Sequence, residues 1–116
     1  DFMVLIYPVV TMKLDNTHNG SRNNLLGDDP SNELVDLYSN ELQVRPDTPS
    51  TFILHSGDDL VVPVENSLQL YGALKEKNVK VEMHLYPHGG HGFAMGFQHG
   101  RLAKWRQLLL EWLQAI

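Results

Sequence analysis

Three short apolar runs rich in β-branched residues constrain the fold of this chain more than any other feature. Phe2 to Val10 is nearly continuous in apolar residues, as expected of a strand covered on both faces. Thr51 to His55 is a second run, entered through Pro49. Lys80 to Tyr86 is the third, and its alternation of apolar and polar residues favours a strand nearer an edge of a sheet.

Two helical patterns lie between these runs. Asp28-Asp29-Pro30 offers a cap and a proline for the first turn of a helix that carries apolar residues from Leu34 to Leu42. Pro63 opens a second helix, with an apolar stripe from Val64 to Leu74 and a basic C-terminal end. The stretch from Thr11 to Asp29 is rich in Asn, Asp, Gly and Ser, and we predict that it is a long loop.

The last helical pattern is the clearest. Leu102 to Leu113 keeps a 3.6-residue period that includes Trp105 and Trp112, which we interpret as core anchors. Strands and helices therefore follow one another in a βαβ-type order. This order predicts the α/β class, with a three-stranded, mostly parallel sheet flanked by helices.

Composition excludes several kinds of partner and site. A chain of 116 residues forms one domain at most, and its net charge of -5 without a Lys/Arg cluster argues against nucleic acid as a partner. The absence of cysteine excludes disulfides and thiolate metal sites, but it does not indicate a compartment. No apolar run approaches the ~20 residues of a membrane span, so we predict no membrane partner. The chain begins with Asp1 rather than Met, which suggests that the true N-terminus lies elsewhere.

Polar clusters follow the second and third runs. His55 to Pro63 contains Asp58 and Asp59, and Pro87 to Phe93 contains His91 between two glycines. Ligands of open α/β sheets bind outside the carboxyl ends of the strands, and neighbouring strands lie ~4.8 Å apart. Loops that leave these ends can therefore bring a carboxylate and an imidazole within hydrogen-bond reach, which is the geometry of a general base.

These motifs carry a specific resemblance. Asp59-x-x-Val62-Pro63 before a helix, the turn Gly90-His91-Gly92-Phe93 and a terminal helix with tryptophans resemble the end of the α/β-hydrolase fold. The similar group is the esterases related to acetyl-xylan esterase and to the prolyl-oligopeptidase catalytic domain, often labelled xylanases. The stretch from Thr17 to Gly27 is also similar to a loop of that group. The resemblance implies that residues 1–116 are the C-terminal part of an α/β-hydrolase domain, with Asp59 as triad acid and His91 as triad base.

Other readings of the same residues stay open at this point. Asp58 is an alternative to Asp59 as the acid, and either carboxylate could instead cap the helix at Pro63. The histidines at 84, 88, 91 and 99 suggest zinc, but the spacing is weak without thiolates, so we predict no metal and no cofactor. His88-Gly89-Gly90 imitates the oxyanion loop of esterases, yet it follows the last strand rather than preceding the nucleophile.

The nucleophile is missing from the pattern. No G-x-S-x-G motif occurs, and none of the serines lies on a predicted strand-to-helix turn; Ser21, for example, falls in the predicted loop. We therefore expect a fragment of a serine esterase that is inactive alone, because the nucleophile and oxyanion donors act as a unit with the acid and base. The implied substrate is an acetylated polysaccharide or a related small ester.

Two alternatives to the esterase remain: a prolyl-oligopeptidase-type peptidase fragment, and a non-catalytic binding or interaction module.

We also expect the strand from Phe2 to Val10 to lack a neighbour on one side. Such an apolar edge exposes backbone donors and acceptors, so we predict self-association through it, as a dimer.

Overall fold

A computed structural model describes residues 1–98 and 100–116 of the chain. Its strands and helices are β1 (Phe2–Ile6), α1 (Asn19–Leu26), α2 (Asn32–Tyr38), β2 (Ser50–Ser56), α3 (Glu65–Glu76), β3 (Val81–Tyr86) and α4 (Trp105–Ala115), with 3-10 turns at Asn40–Leu42 and Gly100–Lys104. In the described ranges, no helix is both long and apolar enough to span a membrane.

The strands form one sheet of three strands in the order β1-β2-β3, and both pairings are parallel. Ile53 of β2 lies between Leu5 of β1 and Met83 of β3. The central position of β2 explains why its run is apolar on both faces, and its residues from Thr51 to Ser56 are all buried. The predicted α/β class and parallel sheet are thus confirmed.

Two apolar clusters lie on opposite faces of β2, because side chains alternate along a strand. Phe52 and Leu54 pack with Trp105 and Trp112 on one face. Ile53 packs on the other face in a cluster with buried residues of α3, of the segment after β1 and of the turn before β3: Leu70, Leu74, Val10 and Val79. The prediction that both tryptophans are core anchors is confirmed, since their exposed fractions are 6% and 7%.

The first strand is shorter than predicted. It ends at Ile6 because Tyr7 adopts φ 40, a left-handed conformation that turns the chain before Pro8. The amide of Tyr7 still donates to the Leu54 carbonyl at 2.7 Å, so the turn remains attached to the sheet. The side chain of Tyr7 is thereby placed at the carboxyl end of the sheet.

The prediction of a loop from Thr11 to Asp29 is wrong in part, since α1 lies within it and includes Ser21. His18 caps this helix by accepting a hydrogen bond from the Ser21 amide at Nδ1. The next helix was expected to be capped by Asp28 or Asp29, but Ser31 is the cap and accepts from the Leu34 amide at 3.2 Å.

A buried amide of α3 fixes the segment that follows β1. The Oδ1 atom of Asn66 accepts from the amides of Val10 and Thr11 at 2.9 and 3.1 Å. Its Nδ2 atom donates to the carbonyls of Asn16 and Pro63 at 2.6 and 3.0 Å. This side chain therefore satisfies backbone groups that secondary structure leaves unpaired, which explains how an irregular segment can be buried there.

Candidate active site

The loop after β2 buries the side chain of Asp59 and fixes its orientation. The Asp59 carboxylate is 0% exposed, and its Oδ1 atom accepts from the amides of Val61 and Val62 at 2.9 and 2.8 Å. Two backbone donors on one oxygen fix the orientation of the carboxylate and leave Oδ2 for other partners. The same bonds compensate for the loss of water around a buried charge.

The electrostatics of Asp59 reflect this balance. Burial pushes the pKa of Asp59 upward, but hydrogen bonds from the two amides and from His91 outweigh it and hold the pKa below its ordinary value. The carboxylate is therefore ionised at neutral pH and can orient an imidazole.

His91 is the partner of that carboxylate. Its Nδ1 atom lies 2.8 Å from Oδ2 of Asp59, and 28% of its side chain is exposed. Since an ionised carboxylate only accepts, Nδ1 carries the proton in the neutral ring and Nε2 keeps the free electron pair. No hydrogen bond to Nε2 comes from the described part of the chain, so this atom remains available as a base.

Asp58 has a different set of partners from Asp59. Its Oδ1 atom accepts from the amides of Gly89 and Gly90 at 3.0 and 2.8 Å, and its Oδ2 atom lies 3.4 Å from Nδ1 of His88. The Gly90 hydrogen bond is the main reason that the pKa of Asp58 lies below its ordinary value. Asp58 thus contacts the backbone of the loop that carries His91, whereas Asp59 contacts the imidazole itself. Neither carboxylate accepts from an amide of α3.

The loop that carries His91 needs glycine for two reasons. Gly90 and Gly92 on either side of the histidine adopt φ 60 and 77, which a side chain would strain. Gly89 instead allows a close approach, since a Cβ there would lie 2.5 Å from Cδ1 of Leu102. The Ser56 hydroxyl donates to the Gly90 carbonyl and adds a tie to β2.

Tyr7 forms one wall of the site. Its ring centroid lies 4.6 Å from that of His91 and 4.9 Å from that of Phe93, with both pairs in edge-to-face geometry. The left-handed turn at the end of β1 therefore brings an aromatic face against the imidazole. Sequence reasoning missed this residue, because it treated Tyr7 as part of a strand.

A second histidine was also missed. His55 is the penultimate residue of β2, its side chain is 0% exposed, and its Nε2 atom lies 3.1 Å from Oδ2 of Asp59. Its Nδ1 atom lies 2.7 Å from the Ser67 hydroxyl on α3. The available signal was an imidazole at the end of an apolar run, where a buried polar side chain needs buried partners.

Among the described residues, the other histidines of the predicted cluster, His84 and His88, do not converge with His91 on one point. His84 hydrogen-bonds to Glu82 on the same strand at 2.7 Å, and His88 contacts Asp58. His99 lies outside the described residues. Among residues 1–98 and 100–116, no group of three or more His, Cys, Asp or Glu side chains has the arrangement of a metal site.

Comparison with known proteins identifies the family. The model of the prolyl oligopeptidase family matches residues 3–116, which is nearly the whole chain. The chain belongs to the prolyl oligopeptidase family. An acetylxylan esterase from Xylanibacter ruminicola is 33% identical over 120 residues, which covers 100% of this chain and 25% of that protein. An endo-1,4-beta-xylanase B from Butyrivibrio fibrisolvens is 40% identical over 95 residues, which covers 82% of this chain and 15% of that protein.

Several solved structures have the same fold as this member of the prolyl oligopeptidase family. An acetyl ester-xyloside bifunctional hydrolase from Caldicellulosiruptor lactoaceticus superposes with a TM-score of 0.96 at 39% identity, covering 99% of this chain and 42% of that chain. The carboxylesterase Cest-2923 from Lactobacillus plantarum superposes with a TM-score of 0.80 at 26% identity, covering 98% and 44%. The resemblance to α/β-hydrolase esterases is confirmed, and the chain has hydrolase ancestry. It spans less than half the length of each of these proteins.

Proposed function

We propose that this chain carries the acid and the base of a serine carboxylic-ester hydrolase. The observation that carries the proposal is the 2.8 Å hydrogen bond between Asp59 and His91 at the carboxyl end of the sheet. In this proposal Asp59 is the triad acid and His91 the general base. The nucleophilic serine and the oxyanion donors come from chain outside these 116 residues.

The chemistry follows from the tautomer of His91. Nε2 accepts the proton of the serine hydroxyl while the serine oxygen forms a bond to the ester carbonyl carbon. When the tetrahedral intermediate collapses, the bond to the leaving alkoxide breaks and Nε2 returns the proton to it. Water then attacks the acyl-enzyme by the same route, releases the carboxylic acid and regenerates the serine. Asp59 holds Nδ1 and stabilises the imidazolium in both halves.

An acetylated polysaccharide or a related small ester is the substrate class that we propose. Support comes from two relatives, the acetylxylan esterase of Xylanibacter ruminicola at 33% identity and the acetyl ester-xyloside hydrolase of Caldicellulosiruptor lactoaceticus at 39% identity. An ester of a sugar hydroxyl has a good leaving group compared with an amide.

The test compares two proteins. One is the 116-residue chain; the other, the extended protein, is the same reading frame extended upstream of Asp1 through a G-x-S-x-G motif. We expect the extended protein to release acetate from acetylated xylan and nitrophenol from p-nitrophenyl acetate, and to lose both activities in His91→Ala. The short chain should match the uncatalysed rate, because it contributes neither nucleophile nor oxyanion donors.

The family match favours one second candidate, a peptidase. Prolyl p-nitroanilide peptides distinguish the two, because they contain an amide where the ester substrates contain an alkoxide. Rapid release of p-nitroaniline without release of acetate from acetylated xylan would contradict the esterase proposal and support the peptidase. Measurable ester hydrolysis by the short chain itself would contradict the proposal that the nucleophilic serine lies outside these 116 residues.

We further propose that the isolated chain self-associates through the outer edge of β1. In the described sheet this strand pairs with β2 on one side. Beside it lies an apolar cavity of about 330 Å³ to which Met3, Leu5 and Val44 contribute. An apolar strand edge of this kind favours pairing with a second copy.

Light scattering tests the association. We expect a dimer for the unmodified chain and a monomer for Met3→Lys, because a lysine on an edge strand opposes strand pairing. Leu68→Lys is the matched control, since Leu68 is an exposed residue of α3 and the change adds the same charge elsewhere. A monomer for the unmodified chain at high concentration contradicts the proposal.

A further inference from the structure

His55 is a buried histidine of the site that is neither the proposed acid nor the proposed base. It lies four residues before Asp59, at the end of the central strand, with its side chain fully buried. Both ring nitrogens have partners: Nε2 approaches Oδ2 of Asp59 at 3.1 Å and the Val62 carbonyl at 3.0 Å, and Nδ1 approaches the Ser67 hydroxyl at 2.7 Å. A buried imidazole with every nitrogen bonded is held in one orientation.

The partners determine the tautomer of His55. A backbone carbonyl only accepts, and an ionised carboxylate only accepts, so Nε2 carries the proton and donates to both. Nδ1 then accepts from the hydroxyl of Ser67, which can rotate to donate. A neutral ring in this form satisfies all three contacts. Its tautomer is the opposite of that of His91, where the proton lies on Nδ1.

The two imidazoles meet on one oxygen. Backbone amides hold Oδ1 of Asp59, whereas the hydrogen bonds to Oδ2 come from the side chains of His55 and His91. The amide hydrogen bonds restrain the carboxylate through Oδ1 only, from the backbone of its own loop. The donor on His55 adds a restraint at Oδ2 itself, and it comes from a ring that the sheet and α3 hold in place.

We propose that His55 is a positioning residue, which fixes Oδ2 of Asp59 in the place where it accepts from Nδ1 of His91, and that Ser67 fixes His55 in turn. The chain of contacts runs from α3 through Ser67, His55 and Asp59 to His91. This role rests on the proposed esterase function of the acid and base. The hydrogen-bond geometry on which it acts can nevertheless be measured without any enzymatic activity.

The test reads the tautomers by nitrogen-15 NMR of the imidazoles in the 116-residue chain. We expect the Nε2–H form for His55 and mainly the Nδ1–H form for His91. In His55→Leu, the ratio of the Nδ1–H to the Nε2–H form of His91 should fall about three- to tenfold, the change that corresponds to one hydrogen bond. In His55→Gln, whose amide nitrogen can take the place of Nε2, the ratio should return most of the way.

The pair of variants separates positioning from packing. A merely structural histidine would affect folding in both variants and would leave the tautomer of His91 unchanged in whichever of them folds. An unchanged ratio in a folded His55→Leu chain overturns the proposal, as does the Nδ1–H form of His55 in the unmodified chain. If His55→Leu does not fold, Ser67→Ala decides, since it releases Nδ1 without touching Asp59; here too we expect a lower ratio, and no change overturns the proposal.

Failure of the proposed function gives a different pattern. If the extended protein has no esterase activity but the tautomer ratio of His91 responds to His55→Leu and recovers in His55→Gln, the positioning role stands and the reaction is another one. If the extended protein is an esterase whose kcat is the same in unmodified and His55→Leu forms, with equal tautomer ratios, only the positioning role fails.

Discussion

The loop that carries Asp59, the proposed acid, and the loop that carries His91, the proposed base, are built differently, although they leave neighbouring strands. The acid loop, residues 57–62, closes on itself: the side chain of Asp59 accepts from two amides of the same loop and is 0% exposed. The base loop, residues 87–98, contains several residues with positive φ and takes its support from outside. Asp58 of the acid loop, whose side chain is 43% exposed, accepts hydrogen bonds from two amides of the base loop.

In a site of this kind, one rigid loop can position the other. The acid loop provides a fixed reference, and both of its aspartates extend towards the base loop, one to its backbone and one to its imidazole. The position of His91 therefore depends on the acid loop more than the acid loop depends on His91. Preorganisation of this kind allows a hydrogen bond to form without a large loss of side-chain entropy.

Replacing each aspartate in the extended protein should give the largest difference between the two loops. Asp59→Asn should lower kcat by about 10⁴-fold, because an amide at Oδ2 cannot hold the Nδ1–H tautomer of His91. Asp58→Asn is the matched control, since its carbonyl oxygen can still accept from Gly89 and Gly90, and we expect a much smaller loss. Initial rates with p-nitrophenyl acetate measure both. Equal losses would show that the two carboxylates share one role.

Adding a methyl group at Gly89 tests how closely the base loop packs. A Cβ at this position would lie 2.5 Å from Cδ1 of Leu102 and 3.2 Å from Cβ of Ser56. We expect Gly89→Ala to lower the free energy of unfolding by about 1–3 kcal/mol, as overpacking does elsewhere.

Gly72 provides the control for this change. It lies inside α3, where an added Cβ meets no atom within 4 Å. Gly72→Ala should raise the free energy of unfolding by about 0.5–1 kcal/mol, since alanine favours a helix. Urea unfolding followed by circular dichroism measures both variants. A Gly89→Ala chain as stable as the unmodified one would mean that the base loop packs loosely against Leu102.

Acid titration should reveal a smaller difference in stability between the two loops. The pKa values of Asp58 and Asp59 lie below their ordinary value in the folded chain. Their contribution to stability is therefore fully present above the unfolded pKa of about 3.9, and it is lost as the pH falls through the lower folded values. The free energy of unfolding should decline below about pH 4.

Variants show how much of that decline in the free energy of unfolding comes from each loop. Removing a carboxylate removes its part of the decline, so Asp59→Asn and Asp58→Asn should each give a flatter curve of unfolding free energy against pH. We expect the larger flattening for Asp59→Asn, because its side chain is buried and the charge of Asp58 is screened by solvent. Urea unfolding between about pH 6 and pH 3 gives the curves. A larger flattening for Asp58→Asn would reverse the order that the burial of the two side chains implies.

Much of the fold could be predicted from the sequence, because burial on both faces leaves a simple pattern. The run from Thr51 to His55, with Phe52, Ile53 and Leu54 at its centre, lies in the central strand. The stripe around Trp105 and Trp112 is the packed face of α4. Placing Asp59 and His91 in loops after neighbouring strands was also possible, since parallel strands bring their carboxyl ends to one edge.

The parts that could not be predicted depend on tertiary contacts. The sequence of α1 has no apolar stripe; the helix is held by its His18 cap and by Arg22, which donates to the Met12 carbonyl at 2.9 Å. The end of β1 depends on the conformation of Tyr7, which local propensity disfavours. His55 looks like one more member of an apolar run, and its role becomes visible only when Asp59 and Ser67 are placed beside it.

The buried amide of Asn66 limits where the length of this chain can vary. Three of its four hydrogen bonds join the backbone at Val10, Thr11 and Asn16 to α3. An inserted residue between those points would detach at least one of them. The stretch after α1, from Gly27 to Asp29, is exposed and has no such tie among the described contacts. Insertions and deletions in related chains should therefore accumulate after α1 rather than before it.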